Sequence, residues 1–556
     1  MIPLRHLSLS SSFSLRQWIT LVFLLVTTMA SGQKIGEGVY WVYFTDKSDN
    51  GYQTDRPGEF LSERSISRRA WQGLGIGLSD EPVTKAYLDT LLEMGVQVRH
   101  ISRWLNGLVM VHADEELFRK VLEKPFVDTM AWRPESSSLW FPPRPSGERF
   151  GPPLESPPDF QYGIATEQIL QVEVDLLHRE GYTGRGVWIA VLDAGFRNVD
   201  SLPSFESMIS EGRLLGTRNF VNDSSVFRLV NNHGMYVLSI IGADWNGNMM
   251  GTSPGAGYFL CSTENVHSET QIEEIAWVEA AEYMDSLGFD VFNTSLGYSD
   301  FDSTEFDYTY KDMDGRSTFI SRAASLLAEK GIILCNSAGN EGADPWYRIT
   351  APSDATDIIC VGAVDSLGTI ASFSSRGPSF DGRVKPELVA MGRSTGIQYI
   401  NGGLARGSGT SFSAPVMTGS VASLWQAFPE IPAREMIQMI RNTGDRFYNP
   451  DATYGYGIPS FARAYRIISS SRLKYSSGGG MHLWPNPAGN LIHINLKGTA
   501  EGEYLLSLYD INGKCVAKEP VTLPGEVRLP EGLSPGLYII EVVTYDTVYQ
   551  NRLIIR

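Results

Sequence analysis

Apolar positions follow three successive rhythms along the chain. The run GVYWVYFTD predicts a strand over 38–45, and Val83, Tyr87, Leu88, Leu91 and Leu92 recur at helical spacing near 82–94. Two strand-like runs, VQVRHIS and GLVMVHA, come next, then a helix at 114–123 and a strand near 126–132. The order β-α-β-β-α-β is that of a ferredoxin-like unit. From about 165 to 470 the strand runs VWIAVLD, YFLCST, DVFNTSL, GIILCNSAG and DIICVGAV are almost continuously apolar and alternate with helical stretches. Such strands predict an α/β unit whose parallel sheet is covered by helices on both faces. Past residue 480 the rhythm becomes period two: HLWPNPAGNLIHINL, EYLLSLYDINGK and GLYIIEVVTYDTVYQNRLIIR, with turn signals such as Asn-Gly, predict a small all-β module.

Two stretches belong to no rhythm. FPPRPSGERFGPPLESPPDF is proline-rich and SSSRLKYSSGGG is small and polar, so both read as linkers. At the start, Arg5 and Arg16 precede an apolar run at 19–26, and Ala30 and Gly32 suit cleavage before Gln33. That is an export signal, too short in its apolar part for a normal membrane span. The expected organisation is a signal at 1–32, an N-terminal unit at 33–135, a linker at 136–164, the α/β unit at 165–468, a linker at 469–480 and the β module at 481–556.

A length of 556 residues agrees with several domains. The net charge of −17 repels phosphate backbones, so nucleic acid is not an expected partner. Cys261, Cys335, Cys360 and Cys515 are too scattered for a disulfide framework, and the apolar runs around Cys335 and Cys360 predict buried thiols.

Three stretches of the α/β unit could carry chemistry. Asp193 ends the strand VWIAVLD, where ligand and catalytic groups of open α/β sheets gather, although a lone Asp there could cap a helix. His233, in NNHGMYVLSI, begins an apolar helical pattern and could equally be structural. Ser411, in GSGTSFSAPVMTGSVASLW, precedes a helix with a small apolar face at Val416, Gly419, Ser420 and Ala422, and could be an ordinary N-cap. Pro415 fits that helix's first turn, where its missing N–H costs little.

Together the three make a chemical unit. A serine hydroxyl needs a base near neutral pH, imidazole is suited to it, and a carboxylate fixes the imidazole tautomer. Of the other histidines in this unit, His178 belongs to a polar helix and His267 to the polar loop ENVHSET. Asn340, on the Gly-flanked turn NSAGNEG, could hold an oxyanion with the Ser411 N–H, or could be a turn residue only. GRSTG, with Ser394, fits G-x-S-x-G, but no helix pattern follows it and the later histidines lie in the β module.

VLDAGF, NNHGM, NTSLGY, NSAGNEG, VGAVD, SFSSRGP, KPELVA and GTSFSAP, in this order over roughly 300 residues, resemble the subtilisin-like serine peptidases. The resemblance implies an Asp193-His233-Ser411 triad and an oxyanion hole of Asn340 and the Ser411 N–H. It also implies that Ser295, Leu296 and Gly297 pair with the substrate backbone. The N-terminal unit looks like the family's propeptide in element order and position. The C-terminal module resembles type IX secretion sorting domains through WPNPAGNLIHI, LYDINGK, LSPGLYIIEV and RLIIR. Two departures stand out: Met235 and Tyr236 replace the usual Thr-His after His-Gly, and Met391 replaces a usual proline.

The expectation is therefore a serine endopeptidase made as a zymogen, secreted or on the cell surface of a Gram-negative bacterium. Protein substrates and the type IX machinery would be its partners, and it would be a monomer with no membrane span after signal removal. The rivals are an inert surface binding protein on the same scaffold, and a β module that binds carbohydrate or protein. No cofactor is required by this chemistry. Calcium is common in the family and is left unplaced: Asp312 to Gly315 (DMDG) has a suitable carboxylate spacing, and also suits a solvated acidic loop.

Overall fold

The computed structural model describes residues 39–111, 115–133, 149–222, 224–472, 475–477, 480–497, 502–510, 514–543 and 548–556. The export signal, the stretch 136–148 of the first linker, residues 473–474 and 478–479 of the second, and the Asn512-Gly513 turn lie outside them.

The N-terminal unit has strands β1 (Val39–Phe44), β2 (Gln97–Ser102), β3 (Gly107–Val111) and β4 (Val127–Arg133). They pair in the order β2-β3-β1-β4, with β1 antiparallel to both neighbours. Period-two alternation decides the two faces. Tyr40, Val42 and Phe44 pack under the helices α2 (Lys85–Glu93) and α3 (Glu115–Leu122), while Trp41 and Val109 point the other way, into the core of the α/β unit. An unexpected helix, α1 (Glu63–Trp71), is capped by Ser62, whose side chain accepts from Ser65 N. It has no apolar stripe: its buried residues are Ser65, Arg68 and Arg69.

Seven parallel strands form the central sheet: β5 (Trp188–Asp193), β6 (Leu214–Asn219), β7 (Gly257–Ser262), β8 (Val291–Thr294), β9 (Ile333–Ser337), β10 (Ile359–Val364) and β11 (Leu388–Met391). Their order is β11-β10-β9-β8-β5-β7-β6, so the direction of winding reverses between β5 and β8. Ile189 and Val191 face one core, with the helices α4 (His233–Gly242) and α7 (Thr410–Ala427); Ala190 and Leu192 face the other, with α5 (Gln271–Leu287) and α6 (Phe319–Glu329). Burial on both faces is why these strands read as continuous apolar runs. Cys335 and Cys360 are buried thiols, as expected, and so is Cys261.

Residues 149–164, read from composition as linker, lie along this unit: Gly151 N donates to Arg185 O at 2.7 Å and Leu154 N to Gly181 O at 3.0 Å. The C-terminal module pairs a five-stranded sheet with a three-stranded one (Met481–Trp484, Leu491–Leu496, Gly525–Arg528). Ile492 and Ile494 of the smaller sheet share a core with Leu508, Ile540 and Leu553 of the larger.

Candidate active site

The sheet's winding reversal puts the carboxyl ends of β5 and β8 side by side, a place where α/β sheets bind ligands. Asp193 is the last residue of β5 and is wholly buried. His233 is the first residue of α4, where Asn231 Oδ1 accepts its backbone N–H at 2.8 Å. Gly234 lets that helix approach the strand: a Cβ there would lie 2.7 Å from Gly195 O and 2.9 Å from the Asp193 Cβ. The approach brings His233 Nδ1 to 2.7 Å from Asp193 Oδ1, which also accepts Ala194 N at 2.7 Å. Asp193 Oδ2 has no hydrogen-bond partner. Burial works against the imidazolium, but the Asp193 charge and hydrogen bond, with the Glu264 charge, raise the His233 pKa above its ordinary value.

Ser411 is the second residue of α7, a helix buried along its whole length. The helix begins at Thr410, so Pro415 is its sixth residue and lies past the first turn expected for it. Its missing N–H removes the bond that residue 415 would make to the Ser411 carbonyl. Ser295 Oγ takes that place, donating to Ser411 O at 3.0 Å. In return Ser411 Oγ donates to Ser295 O at 3.2 Å rather than to His233. The His233 ring stacks on Phe412, the next residue, with centroids 5.9 Å apart. In resting enzymes the nucleophile–base bond is often long and tightens only with substrate in place.

Asn340 is oriented by α7 itself: its Oδ1 accepts Thr410 N at 2.9 Å and Thr410 Oγ1 at 3.1 Å. The acceptor is thus used, and the NH₂ is left to donate. A Cβ built on Gly409 would lie 3.7 Å from both Ser411 N and Asn340 Oδ1 and 3.9 Å from Asn340 Nδ2, so the Asn340 amide and the Ser411 N–H both lie beside this one glycine. At a helix start the Ser411 N–H has no intrahelical acceptor. Leu296 is half-buried and Gly297 exposed, and Leu296 O accepts Asn336 Nδ2 at 3.4 Å. Thr350, not singled out in the sequence, has a buried hydroxyl without a partner, 2.1 Å from where a Cβ on Gly297 would be.

The structure thus brings Asp193 and His233 into contact, places Ser411 beside Ser295, and ties Asn340 to Thr410, the residue before Ser411. Two histidine readings differ. His178 is not on a polar surface: it is buried under Phe160 and Tyr162, bonded to Tyr162 Oη and Thr252 O, and its pKa is pushed down to about 4 by burial. His267 is exposed, but its loop lines a cleft beside His233 together with Glu264, Glu269 and Glu273. The polar spacing of ENVHSETQIEE carried no hint that these groups converge. In DMDG, Asp312 is used in a capping box with Thr309, and Asp314 accepts Arg316 N, Ser317 N and Ser317 Oγ. Ser394 is followed by the strand Thr395–Gln398 and not by a helix.

Residues 184–457 match the family model of the subtilase family, residues 39–145 that of the peptidase S8 propeptide domain of Bacteroidota, and residues 482–556 that of the secretion system C-terminal sorting domain. The chain is 31% identical over 275 residues to Subtilisin-like protease SBT6.1 of Arabidopsis thaliana, covering 47% of this chain and 23% of that one. It is 28% identical over 310 residues to Serine protease AprX of Bacillus subtilis, covering 50% and 65% respectively. It therefore spans less than two thirds of either relative. Fervidolysin from Fervidobacterium pennivorans, a solved structure, shares the fold with a TM-score of 0.54 at 17% identity, over 93% of this chain and 76% of that one. The chain carries a subtilase-family domain, with an S8 propeptide domain before it and a secretion sorting domain after it.

Proposed function

We propose that the protein is a secreted serine endopeptidase made as a zymogen, with Asp193, His233 and Ser411 as its triad. The observation that carries this reading is the 2.7 Å contact of buried Asp193 with His233 Nδ1, on the sheet edge where Ser411 begins its helix. A carboxylate at Nδ1 holds the proton there and leaves Nε2 as the base. Ser411 Oγ attacks the scissile carbonyl as His233 takes its proton. The oxyanion is held by the Ser411 N–H and Asn340 Nδ2, with Ser295 to Gly297 pairing with the substrate backbone. His233 then protonates the leaving amine, and water repeats the cycle on the acyl-enzyme. The C-terminal module directs export by the type IX route, and the propeptide domain keeps the enzyme inactive until cleavage.

The test is Ser411→Ala. Peptide hydrolysis by the matured chain should fall by about 10⁶ and fluorophosphonate labelling should disappear. Unchanged hydrolysis would refute the assignment, and a native chain that takes no label would favour the inert binding protein.

A further inference from the structure

The cleft beside His233 holds more carboxyl groups than peptide hydrolysis needs. Its volume is about 560 Å³; His233 and Asn231 form one side, Ser295 to Gly297 another, and Glu264, Glu269, Glu273 and Asp302 much of the rest. Carboxylate oxygens of Glu264, Glu269 and Glu273 lie within 4.8 Å of one another. Two of the three cannot spread apart as carboxylates on a solvated loop do. Glu273 is 1% exposed, and its oxygens accept Asn265 N and Thr270 N at 2.9 Å each, which ties it to the first turn of α5. Glu264 Oε1 accepts Tyr298 Oη at 2.8 Å and Thr263 Oγ1 at 3.0 Å.

The charges that act on these groups are other carboxylates: Glu269 and Asp193 on Glu264, Asp300 and Asp302 on Glu269, Glu264 and Glu269 on Glu273. Burial first, then this repulsion, pushes the three up to about 8, 7 and 10. Like charges held together in a half-closed cleft are costly unless something of opposite sign enters. The cleft opens on the segment that pairs with the substrate backbone, so the substrate is the molecule placed to supply it.

We infer that this cleft is a subsite for a cationic side chain, a lysine or arginine two to four residues before the scissile bond. The inference rests on the peptidase reading given above. An arginine fits best, because its five N–H donors can serve several carboxylates at once. A divalent cation is the weaker occupant, since Glu273 already uses both oxygens on backbone N–H groups.

The test uses the full-length chain after maturation and peptides that differ only by Arg, Lys, Leu or Gln at the second, third and fourth positions before the cut. At one position Arg or Lys should raise kcat/KM over Leu by at least about tenfold. In the double variant Glu264→Gln, Glu269→Gln the Arg-to-Leu ratio should fall toward one. Glutamine keeps the shape and the Tyr298 contact, and a ratio within one preparation does not depend on the active fraction. A ratio near one in the native enzyme would overturn the inference and leave the peptidase reading standing, whereas absence of any cleavage would refute that reading first. A cation preference kept in the double variant, or cleavage of every peptide alike that collapses with EDTA and returns with Ca²⁺, would also overturn it.

Discussion

Two buried aspartates lie at opposite ends of the sheet and are treated in opposite ways. Asp285, near the end of α5 and the amino ends of the strands, is wholly buried and bonded to Arg68, Arg69 and Arg103, all from the N-terminal unit. Asp290 nearby takes Arg64 at 2.5 Å and Arg149 at 2.8 Å. Burial alone would raise both carboxyls, and the arginines hold them below the usual range. Asp193, at the carboxyl end of β5, is equally buried but has one backbone N–H, one imidazole and an oxygen with no partner. A saturated carboxylate is structural: its charge is used up where it lies. An unsaturated one keeps charge available to a neighbour whose protonation changes, as that of His233 must during the proposed cycle.

The contrast breaks first in kinetics. Asp193→Asn should lower kcat by about 10⁴ while the chain stays folded, because an amide can hold the wrong imidazole tautomer. The same variant should move the His233 titration. Its pKa is raised by the Asp193 and Glu264 charges against burial, so in a Ser411→Ala background an NMR titration should find it above 6.5. A base is competent only when neutral, so activity should be lost as pH falls through that raised value. Once Asp193→Asn removes the charge, burial remains and the pKa should drop. A titration unmoved by the substitution would mean that Asp193 does not carry the charge His233 feels.

Asp285→Asn should do the reverse, costing stability and sparing the chemistry of the folded fraction. It leaves Arg68 and Arg103 without their paired carboxylate and Arg69 with Asp80 alone, and breaking a buried pair from one side costs about 3–5 kcal/mol. Denaturant unfolding of the Ser411→Ala chain would read it. Because its folded pKa is depressed, the Asp285 contribution is present above the ordinary carboxylate range and is lost only as pH falls through the folded value, in strong acid. A loss of stability already at mildly acidic pH would point to another group.

The same two regions show where sequence was readable. The strands of the sheet, its two helical layers and the strand and helix runs of the N-terminal unit follow from periodicity, because apolar burial on one or both faces is what periodicity reports. Asp193, His233 and Ser411 sit at a strand end and at helix starts and Asn340 on a Gly-flanked turn, places that the residues alone left open between chemistry and capping; the ordered resemblance to the subtilases is what singled them out. Helix α1 left no such trace: its buried face is Arg68 and Arg69, and a charged residue signals burial only when its partner, here more than 200 residues away, is known. Glu264, Glu269 and Glu273 escaped for a similar reason, since a loop and a helix start must fold before their oxygens meet. Pro415 was misplaced because the helix begins at Thr410, and its effect lies in a carbonyl handed to Ser295.

Met235 belongs with the structural side of the contrast although it adjoins the base. It is wholly buried, among the apolar residues of the core that α4 and α7 share, and it is two residues from His233. Successive residues on a helix point about 100° apart, so Met235 turns toward the core while His233 faces Asp193. Replacing it by threonine, the residue usual in the family, removes part of a packed side chain and buries a hydroxyl. The cost should be about 1–3 kcal/mol of stability. The pH–rate profile should keep its midpoint, because the groups that set the His233 pKa are Asp193 and Glu264. A displaced midpoint in Met235→Thr would show that a threonine hydroxyl reaches the imidazole network, and position 235 would then have to be counted with Asp193.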